Sequence, residues 1–204
     1  MARPPIRTAA AEQVRARTKA LALEQIAAGG AQALSLNAVA VGLGISGPAL
    51  YRYYRNRDAL LTDLIIDAYH DLAAAVAPAT TTAAFADAYR SWALAQPHRY
   101  RLLFGPPLPG YDAHARPLVD ASQRAMDELL RCLATDDPVE VAGLDVAELR
   151  AWMGARGIDV PPQHAGRALA VWARLHGLVS LEINGNFASV GVDPQALYVD
   201  AVER

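Results

Sequence analysis

Apolar residues recur every three or four positions along most of the chain, a spacing that places them on one face of an α-helix. In the first third of the chain this spacing predicts helices over residues 8–29, 35–44, 46–54 and 56–78. Each of these begins at a residue whose side chain can accept a hydrogen bond from the first helical turn: Thr8, Ser35, Ser46 and Asn56. Glycine or proline, which both interrupt helices, stands near most of the far boundaries.

The same periodicity continues through the rest of the chain. It predicts further helices over residues 81–96, 97–105, 117–134, 146–157, 161–187 and 193–203. Asp193 is placed to cap the last of them, and two polar or proline-rich loops lie over residues 106–117 and 135–145. Alternating apolar and polar residues, which indicate β-strands, are almost absent. The sequence therefore predicts an all-α fold of about nine helices.

The segment "GLGISG", residues 42–47, fits two different structures. Gly42, Gly44 and Gly47 spell GxGxxG, a loop that binds dinucleotides when it joins a strand to a helix within a parallel sheet. The chain offers no further strands for such a sheet. The other structure is a helix-turn-helix, which needs a small residue at Ala40, a positive φ at Gly44 and a core contact at Leu50. A solvated corner of an ordinary helical bundle is the plainer alternative.

The net charge of -2 conceals an uneven distribution of charge along the chain. Residues 1–57 contain eight Arg and Lys against two Glu, whereas residues 58–204 contain eleven basic and nineteen acidic residues. A basic head on an acidic body favours a polyanionic partner for the head. We therefore expect a DNA-binding domain over residues 1–57 and a second domain over residues 58–204. Arg3 and Arg7 form a basic N-terminal arm that could enter the minor groove.

The run "LSLNAVAVGLGISGPALYRYYRNRDALL", preceded by "ALALEQIAAGG", resembles the N-terminal domain of TetR-type transcriptional repressors over roughly residues 12–72. That resemblance implies a two-fold dimer that places its third helix in the major groove of double-stranded DNA. It implies DNA contacts from Asn37, Ser46, Gly47, Pro48, Tyr51, Arg52, Tyr53 and Arg57. Gly47 and Ala49 stand where the family often carries longer polar side chains, and Tyr54 is expected in the core.

The second domain contains aromatic residues that either line a small-molecule pocket or fill the core. The candidate ligand-binding residues are Trp92, Tyr100, Phe104, Tyr111, Trp172 and His176. The segments "RSWALAQPHRYRLLFG" and "VWARLHGLVSLEINGNF" resemble the WHG-type C-terminal domain of some TetR-type proteins, which implies regulation and dimerisation. We expect the helices over residues 161–187 and 193–203 to pair with those of a second copy in a four-helix bundle.

The sequence lacks the motifs of common catalytic, metal-binding and membrane-spanning proteins. The chain has a single cysteine, Cys132, and neither an HExxH nor a GxSxG motif, so we expect no catalytic site, metal or cofactor. No apolar run approaches the roughly 20 residues that span a bilayer, and the N-terminus lacks a signal peptide, so we expect a cytoplasmic protein without a membrane partner.

The sequence thus predicts a dimeric, ligand-responsive DNA-binding regulator. Its expected mode of action is repression, relieved when a small apolar or amphipathic effector releases the protein from a palindromic operator. The alternatives are an α-helical small-molecule-binding protein without a DNA role and, more remotely, an NAD-dependent enzyme.

Overall fold

The structure of the protein is a computed structural model that describes residues 6–105, 110–113, 115–134, 141, 143–155, 157 and 160–203. Within these ranges it contains no β-strand, so the all-α prediction is confirmed, with more helices than the expected nine. The α-helices are α1 (Ile6–Gly29), α2 (Leu36–Leu43), α3 (Gly47–Tyr51), α4 (Arg57–Val76), α5 (Thr82–Ala95), α6 (Pro97–Phe104), α7 (Arg116–Leu133), α8 (Val146–Gly154), α9 (Pro162–Ile183), α10 (Asn186–Val190) and α11 (Gln195–Glu203). A 3₁₀ turn, Ala31–Ala33, follows α1.

Three of the predicted helix caps are present. The side-chain oxygens of the capping residues accept hydrogen bonds from the amide N–H groups of the turn that follows: Ser35 from Ala38 at 3.3 Å, Asn56 from Ala59 at 2.8 Å and Asp193 from Gln195 at 3.0 Å. Each bond satisfies an amide that has no partner within the helix, and this fixes where α2, α4 and α11 begin.

Two helix starts or caps differ from the prediction. α1 begins at Ile6, so Thr8 lies inside the helix rather than at its cap. Ile6 and Arg7 can continue the helix toward its start because neither is a glycine or proline, whereas Pro4 and Pro5 precede them in the sequence. Ser46 precedes α3, but its side chain makes no capping hydrogen bond. α3 also ends at Tyr51 rather than at Tyr54. The carbonyl of Leu50 accepts hydrogen bonds from the amides of both Tyr53 and Tyr54 in the turn that follows.

The predicted helix over residues 161–187 is interrupted. α9 ends at Ile183, and Gly185 takes a positive φ of 76° that no α-helix accommodates. α10 then runs from Asn186 to Val190 and stops at Gly191, again with a positive φ. This break accounts for the short helix that the sequence analysis did not separate.

Of the predicted loop over residues 106–117, residues 110–113 and 115 are described and not helical, whereas Arg116 and Pro117 begin α7. Most of the predicted loop over residues 135–145 lies outside the described residues. So does Arg3 of the predicted N-terminal arm, whereas Arg7 belongs to α1.

The described chain divides into two compact units. The first contains the described residues up to Ala68 together with those from His98 to Leu118, and the second contains Tyr69–Pro97 and the described residues from Val119 onward. In the first unit α2 packs against α1 and α3 around a core that includes Ala22, Ile26, Val39, Leu50, Tyr54 and Leu60. In the second, α9 packs against α5, α8, α10 and α11, around a core that includes Phe85, Tyr89, Leu129, Val171 and Leu175.

We predict that Gly44→Ala destabilises the protein by about 1–2 kcal/mol, because an L-residue is strained in the left-handed conformation that Gly44 adopts. A Cβ at this position would touch no other atom, so the strain of the backbone alone would cause the loss. Gly154→Ala is the matched control, since a Cβ there also meets open space but the backbone has no positive φ. Urea unfolding of both variants measures the difference; equal stabilities would contradict the prediction.

Candidate nucleic-acid interface

The corner between α2 and α3 has the geometry of a helix-turn-helix. Gly44 takes φ 68° and ψ 29°, and its amide bonds to carbonyls at the end of α2. The amide of Ile45 bonds to the carbonyl of Ala40 at 3.1 Å, which completes the left-handed helix cap. Ala40 is 2% exposed and Leu50 is 1% exposed, so all three requirements of the predicted motif are met.

The outward side of α3 carries most of the residues predicted to contact DNA. Pro48 and Arg52 lie two residues before and after the buried Leu50, which on an α-helix puts them on the opposite side, and both are exposed. Ser46 is also exposed, and Tyr51 is 49% exposed. We call Pro48 and Tyr51, together with Ser46 and Arg52, which flank the helix on either side, the outer face of α3. The exposed Asn37 of α2 and the half-buried Gly47 adjoin this face.

Tyr53 and Tyr54 have different surroundings, although they are neighbours in the sequence. Tyr54 is 2% exposed, as predicted for a core residue, whereas Tyr53 is half-buried. The guanidinium of Arg15 lies 5.3 Å from the centre of the Tyr54 ring and 5.9 Å from that of Tyr53, within the range of a cation–π contact. Burial, reinforced by the negative charge of Asp63, raises the pKa of Tyr54 to about 12.

Arg57 makes contacts that the sequence analysis did not foresee. Its Nε donates to the carbonyl of Leu34 at 3.1 Å, and its Nη2 donates to the carbonyl of Ala31 at 2.7 Å. The guanidinium therefore joins the start of α4 to the connection between α1 and α2. A cation in the first turn of a helix opposes the helix dipole, and the two carbonyl acceptors offset this unfavourable interaction.

In the second unit, three of the predicted ligand-binding residues lie on α5 and α9. The indole Nε1 of Trp92 donates to Asp71 at 2.9 Å, and the rings of Trp172 and His176 stack with centroids 5.7 Å apart. Tyr89, which the sequence analysis did not single out, places its hydroxyl 3.5 Å from Nδ1 of His176. Its position three residues before Trp92, on the same helix face, was the available signal. Burial lowers the pKa of His176 below its usual 6.5.

The other three predicted ligand-binding residues belong to the first unit. The rings of Tyr100 and Phe104 pack with centroids 5.1 Å apart on α6. The hydroxyls of Tyr111 and Thr62 share a hydrogen bond of 2.9 Å, and burial raises the pKa of Tyr111. The structure therefore assigns the six residues equally to the two compact units.

A charged cluster in the second unit also escaped the sequence analysis. Arg90 of α5 donates from Nε and Nη2 to the two carboxylate oxygens of Glu182 on α9, at 3.0 and 2.7 Å. Tyr198 of α11 donates to the same carboxylate at 2.8 Å, and its ring centre lies 4.5 Å from the Arg90 guanidinium. The side chains of Arg90 and Glu182 are both less than one-fifth exposed, so water screens their ion pair only weakly. The cluster holds α5, α9 and α11 together.

The described residues contain neither a cluster of metal ligands nor a helix that could cross a membrane. In that part of the chain no three His, Cys, Asp or Glu side chains come together as they would around a metal ion. None of the described helices combines the length and the apolar character needed to cross a membrane.

The corner and the outer face of α3 define the class of protein as a helix-turn-helix DNA-binding regulator. Two family profiles match the sequence: "Bacterial regulatory proteins, tetR family" over residues 20–64 and "Tetracyclin repressor-like, C-terminal domain" over residues 82–204. The chain therefore belongs to the TetR family of transcriptional regulators, as its sequence motifs indicated. This also decides between the two interpretations of "GLGISG" in favour of the helix-turn-helix.

Several proteins are similar to this chain over nearly their whole length. The HTH-type transcriptional regulator Rv1816 of Mycobacterium tuberculosis is 34% identical, in an alignment covering 96% of this chain and 91% of the relative. The crystal structure of the SCO4313 protein is 40% identical, with a TM-score of 0.83 and 98% of each chain covered. The structure of a protein of unknown function from Rhodococcus sp. RHA1 has a TM-score of 0.68 and is 26% identical in sequence. The aligned region covers 93% of this chain and 92% of that protein. The protein is thus a DNA-binding transcriptional regulator with a ligand-binding C-terminal domain, and not an enzyme.

We predict that Arg57→Lys lowers the free energy of unfolding by about 1–2 kcal/mol, because an ammonium group cannot reproduce the two hydrogen bonds of the guanidinium. Arg55→Lys is the matched control, since Arg55 is exposed and lies two residues earlier. Urea unfolding of both variants gives the comparison. The prediction is wrong if the two variants unfold at the same urea concentration.

Proposed function

We propose that this regulator is a homodimeric repressor that binds a palindromic operator and leaves it when a small effector occupies the second unit. The observation that carries the proposal is the outer face of α3, held outward by the buried Leu50 on the other side of the helix. A short helix that is anchored on one side and exposed on the other is suited to enter the major groove.

The proposed contacts divide by chemistry. Gly47 and Pro48 are the residues nearest the base edges, together with the hydroxyl of Ser46. Tyr51, Tyr53, Arg52 and Asn37 supply hydroxyl, guanidinium and amide donors to phosphates, which position a protein on the duplex. Arg57 acts first as a support of the domain, because its guanidinium already donates to two backbone carbonyls. The excess of basic residues over residues 1–57 adds a salt-dependent attraction to DNA.

The proposed dimer interface is built from α9 and α11. One side of α9 exposes Ala173, Gly177 and Leu181 at four-residue spacing, and a Cβ at Gly177 would meet open space. α11 packs against α9 and exposes Leu197 and Val199. Small and apolar exposed residues let helices from a second copy approach closely, so two helices from each subunit would form a four-helix bundle.

The position of α11 on α9 is fixed by hydrogen bonds that support such an interface. Arg167 donates to the carbonyl of Val202 at 3.2 Å, and Arg174 donates to that of Ala201 at 3.5 Å. These carbonyls belong to the last turn of α11 and have no hydrogen-bond partner within that helix. The positive charges of the two guanidinium groups also interact favourably with the negative end of the α11 dipole.

The proposed effector site lies around Trp92, Trp172 and His176, with Tyr89 as an addition. Large apolar rings interrupted by an indole N–H, a phenol and an imidazole suit a small apolar or amphipathic molecule with few polar groups. Tyr100, Phe104 and Tyr111, which belong to the first unit, are not part of this proposed site. An effector can release DNA only if it prefers the protein state that DNA disfavours, so DNA must weaken effector binding by the same factor.

Selection of binding sites from a genomic or random DNA pool at about 0.15 M salt tests the proposal. We expect a palindrome whose half-sites are centred about 34 Å apart, the separation of successive major grooves on one side of the duplex. Sedimentation of the protein with and without that DNA should show a dimer in both cases. Weak, uniform binding without a motif would contradict the proposal.

We predict that Tyr51→Phe weakens operator binding by about tenfold, because it removes a hydroxyl donor to a charged phosphate. Stability should change little, since Tyr51 is half exposed. Tyr54→Phe is the matched control: it removes a hydroxyl from the core and should leave DNA affinity unchanged. Fluorescence anisotropy with labelled operator measures both. An unaltered affinity of Tyr51→Phe would remove this residue from the interface.

A further inference from the structure

We propose that Arg15 of α1 is a positioning residue for DNA binding: its guanidinium holds the ring of Tyr53 in the orientation in which the Tyr53 hydroxyl meets a phosphate. The inference rests on the proposed function, in which Tyr53 donates a hydrogen bond to the DNA backbone. It goes further by giving a role in recognition to a side chain that lies outside the helix-turn-helix.

Tyr53 lies where the main chain alone does not direct its side chain. α3 ends at Tyr51, and Tyr53 follows in the turn that leads to α4. The amide of Tyr53 bonds to the carbonyl of Leu50 at 2.8 Å, so the backbone of this turn is held. A side chain within a helix is restricted by the preceding helical turn, whereas a side chain outside it retains more of its rotamers. The ring of Tyr53 therefore needs a side-chain contact to keep one orientation.

Arg15 supplies that contact. Its guanidinium lies 5.9 Å from the centre of the Tyr53 ring and 5.3 Å from the centre of the Tyr54 ring. Both distances are within the range in which a cation is attracted to an aromatic face. Tyr54 is 2% exposed and belongs to the core of the first unit, whereas Tyr53 is half-buried. Arg15 thus joins the Tyr53 ring to a ring that the core already holds.

Arg15 is itself held from two sides. Its backbone belongs to α1, and its Nη1 lies 4.0 Å from Oδ2 of Asp63 on α4. The same carboxylate oxygen lies 3.7 Å from Nζ of Lys19, one turn further along α1. Because the Arg15 side chain is 46% exposed, its ion pair adds little to stability, but the pair restricts the direction in which the guanidinium lies.

An ordered Tyr53 lowers the free-energy cost of binding DNA. A freely rotating tyrosine loses rotamer freedom when its hydroxyl meets a phosphate, and this loss subtracts from the affinity. Because Arg15 orders the ring before DNA arrives, the loss occurs on folding instead. Direct binding of a phosphate by Arg15 is the competing explanation, since a guanidinium is itself a good phosphate ligand. The two explanations differ in whether the effect of Arg15 depends on the Tyr53 hydroxyl.

A double-mutant cycle with labelled operator tests this dependence by fluorescence anisotropy. Arg15→Met removes the guanidinium and keeps an unbranched side chain. Arg17→Met is the matched control, because Arg17 is exposed on the same helix and its loss removes the same charge. We expect Arg15→Met to raise Kd about threefold to fivefold more than Arg17→Met does. In a Tyr53→Phe background, which lacks the hydroxyl, the two substitutions should raise Kd equally.

The dependence of Kd on salt gives a second readout. A residue that neutralises a phosphate contributes about one unit to the slope of log K against log salt, whereas an uncharged tyrosine hydroxyl does not. Arg15→Met and Arg17→Met should therefore have the same slope. Urea unfolding shows whether each variant folds. If Arg15→Met does not, Arg15→Lys with Arg17→Lys as its control takes its place, because lysine keeps the charge but lacks the planar group that stacks on the rings.

Three results would overturn the inference. Equal Kd values for the Arg15 and Arg17 variants would show that Arg15 has no special role. An excess loss that persists in the Tyr53→Phe background would show that Arg15 does not act through Tyr53. A slope smaller by about one unit for Arg15→Met alone would make Arg15 a direct phosphate contact. Failure of the proposed function looks different, since site selection would then yield no operator and both proposals would fall together.

Discussion

An α-helix of L-residues can turn sharply into a second helix when one residue takes a positive φ, and between α2 and α3 that residue is Gly44, at 68°. Because the amides of Gly44 and Ile45 bond back to carbonyls of α2, the direction in which the chain leaves α2 is fixed. α3 contains five residues, too few for a helix that is stable alone, so it depends on this corner and on the burial of Leu50. The orientation of every residue on its outer face follows from these two restraints.

A second set of contacts holds this corner within the first unit. Arg57 satisfies two backbone carbonyls of the α1–α2 connection, and Asn56 caps α4 just before it. Lys19 of α1 forms an ion pair with Asp67 of α4 at 2.7 Å, which links α4 directly to α1. Three consecutive residues therefore differ in their contacts. Arg55 and Asn56 are exposed, whereas the guanidinium of Arg57 is hydrogen-bonded to the backbone of its own domain.

The features that could be predicted from the sequence are local ones. The caps at Ser35, Asn56 and Asp193 and the turn at Gly44 each depend on a few adjacent residues, so their types and spacing were sufficient evidence. The helix boundary at Ile183 was less visible, because "INGN" is compatible with both a continued and a broken helix until the φ of Gly185 is known.

The features that escaped prediction join distant parts of the chain. Arg90 and Glu182 are 92 residues apart, and no periodicity within either helix indicates that they pair. Arg57 reaches carbonyls 23 and 26 residues earlier, and backbone acceptors leave no trace in the amino-acid sequence. The residues of the outer face of α3 could be suggested from a motif, whereas the partners of Trp92, Tyr89 and His176 depend on the packing of α4, α5 and α9.

One side of α3 is constrained by packing in the core, and the other side is not. Leu50 is constrained by the core, whereas Ser46, Pro48 and Arg52 have side chains directed outward and exposed. Substitutions at the outward positions therefore meet little resistance from folding. A duplicated copy of this chain could acquire a new target sequence through a few such changes, while the contacts that hold its scaffold and its second unit stayed the same.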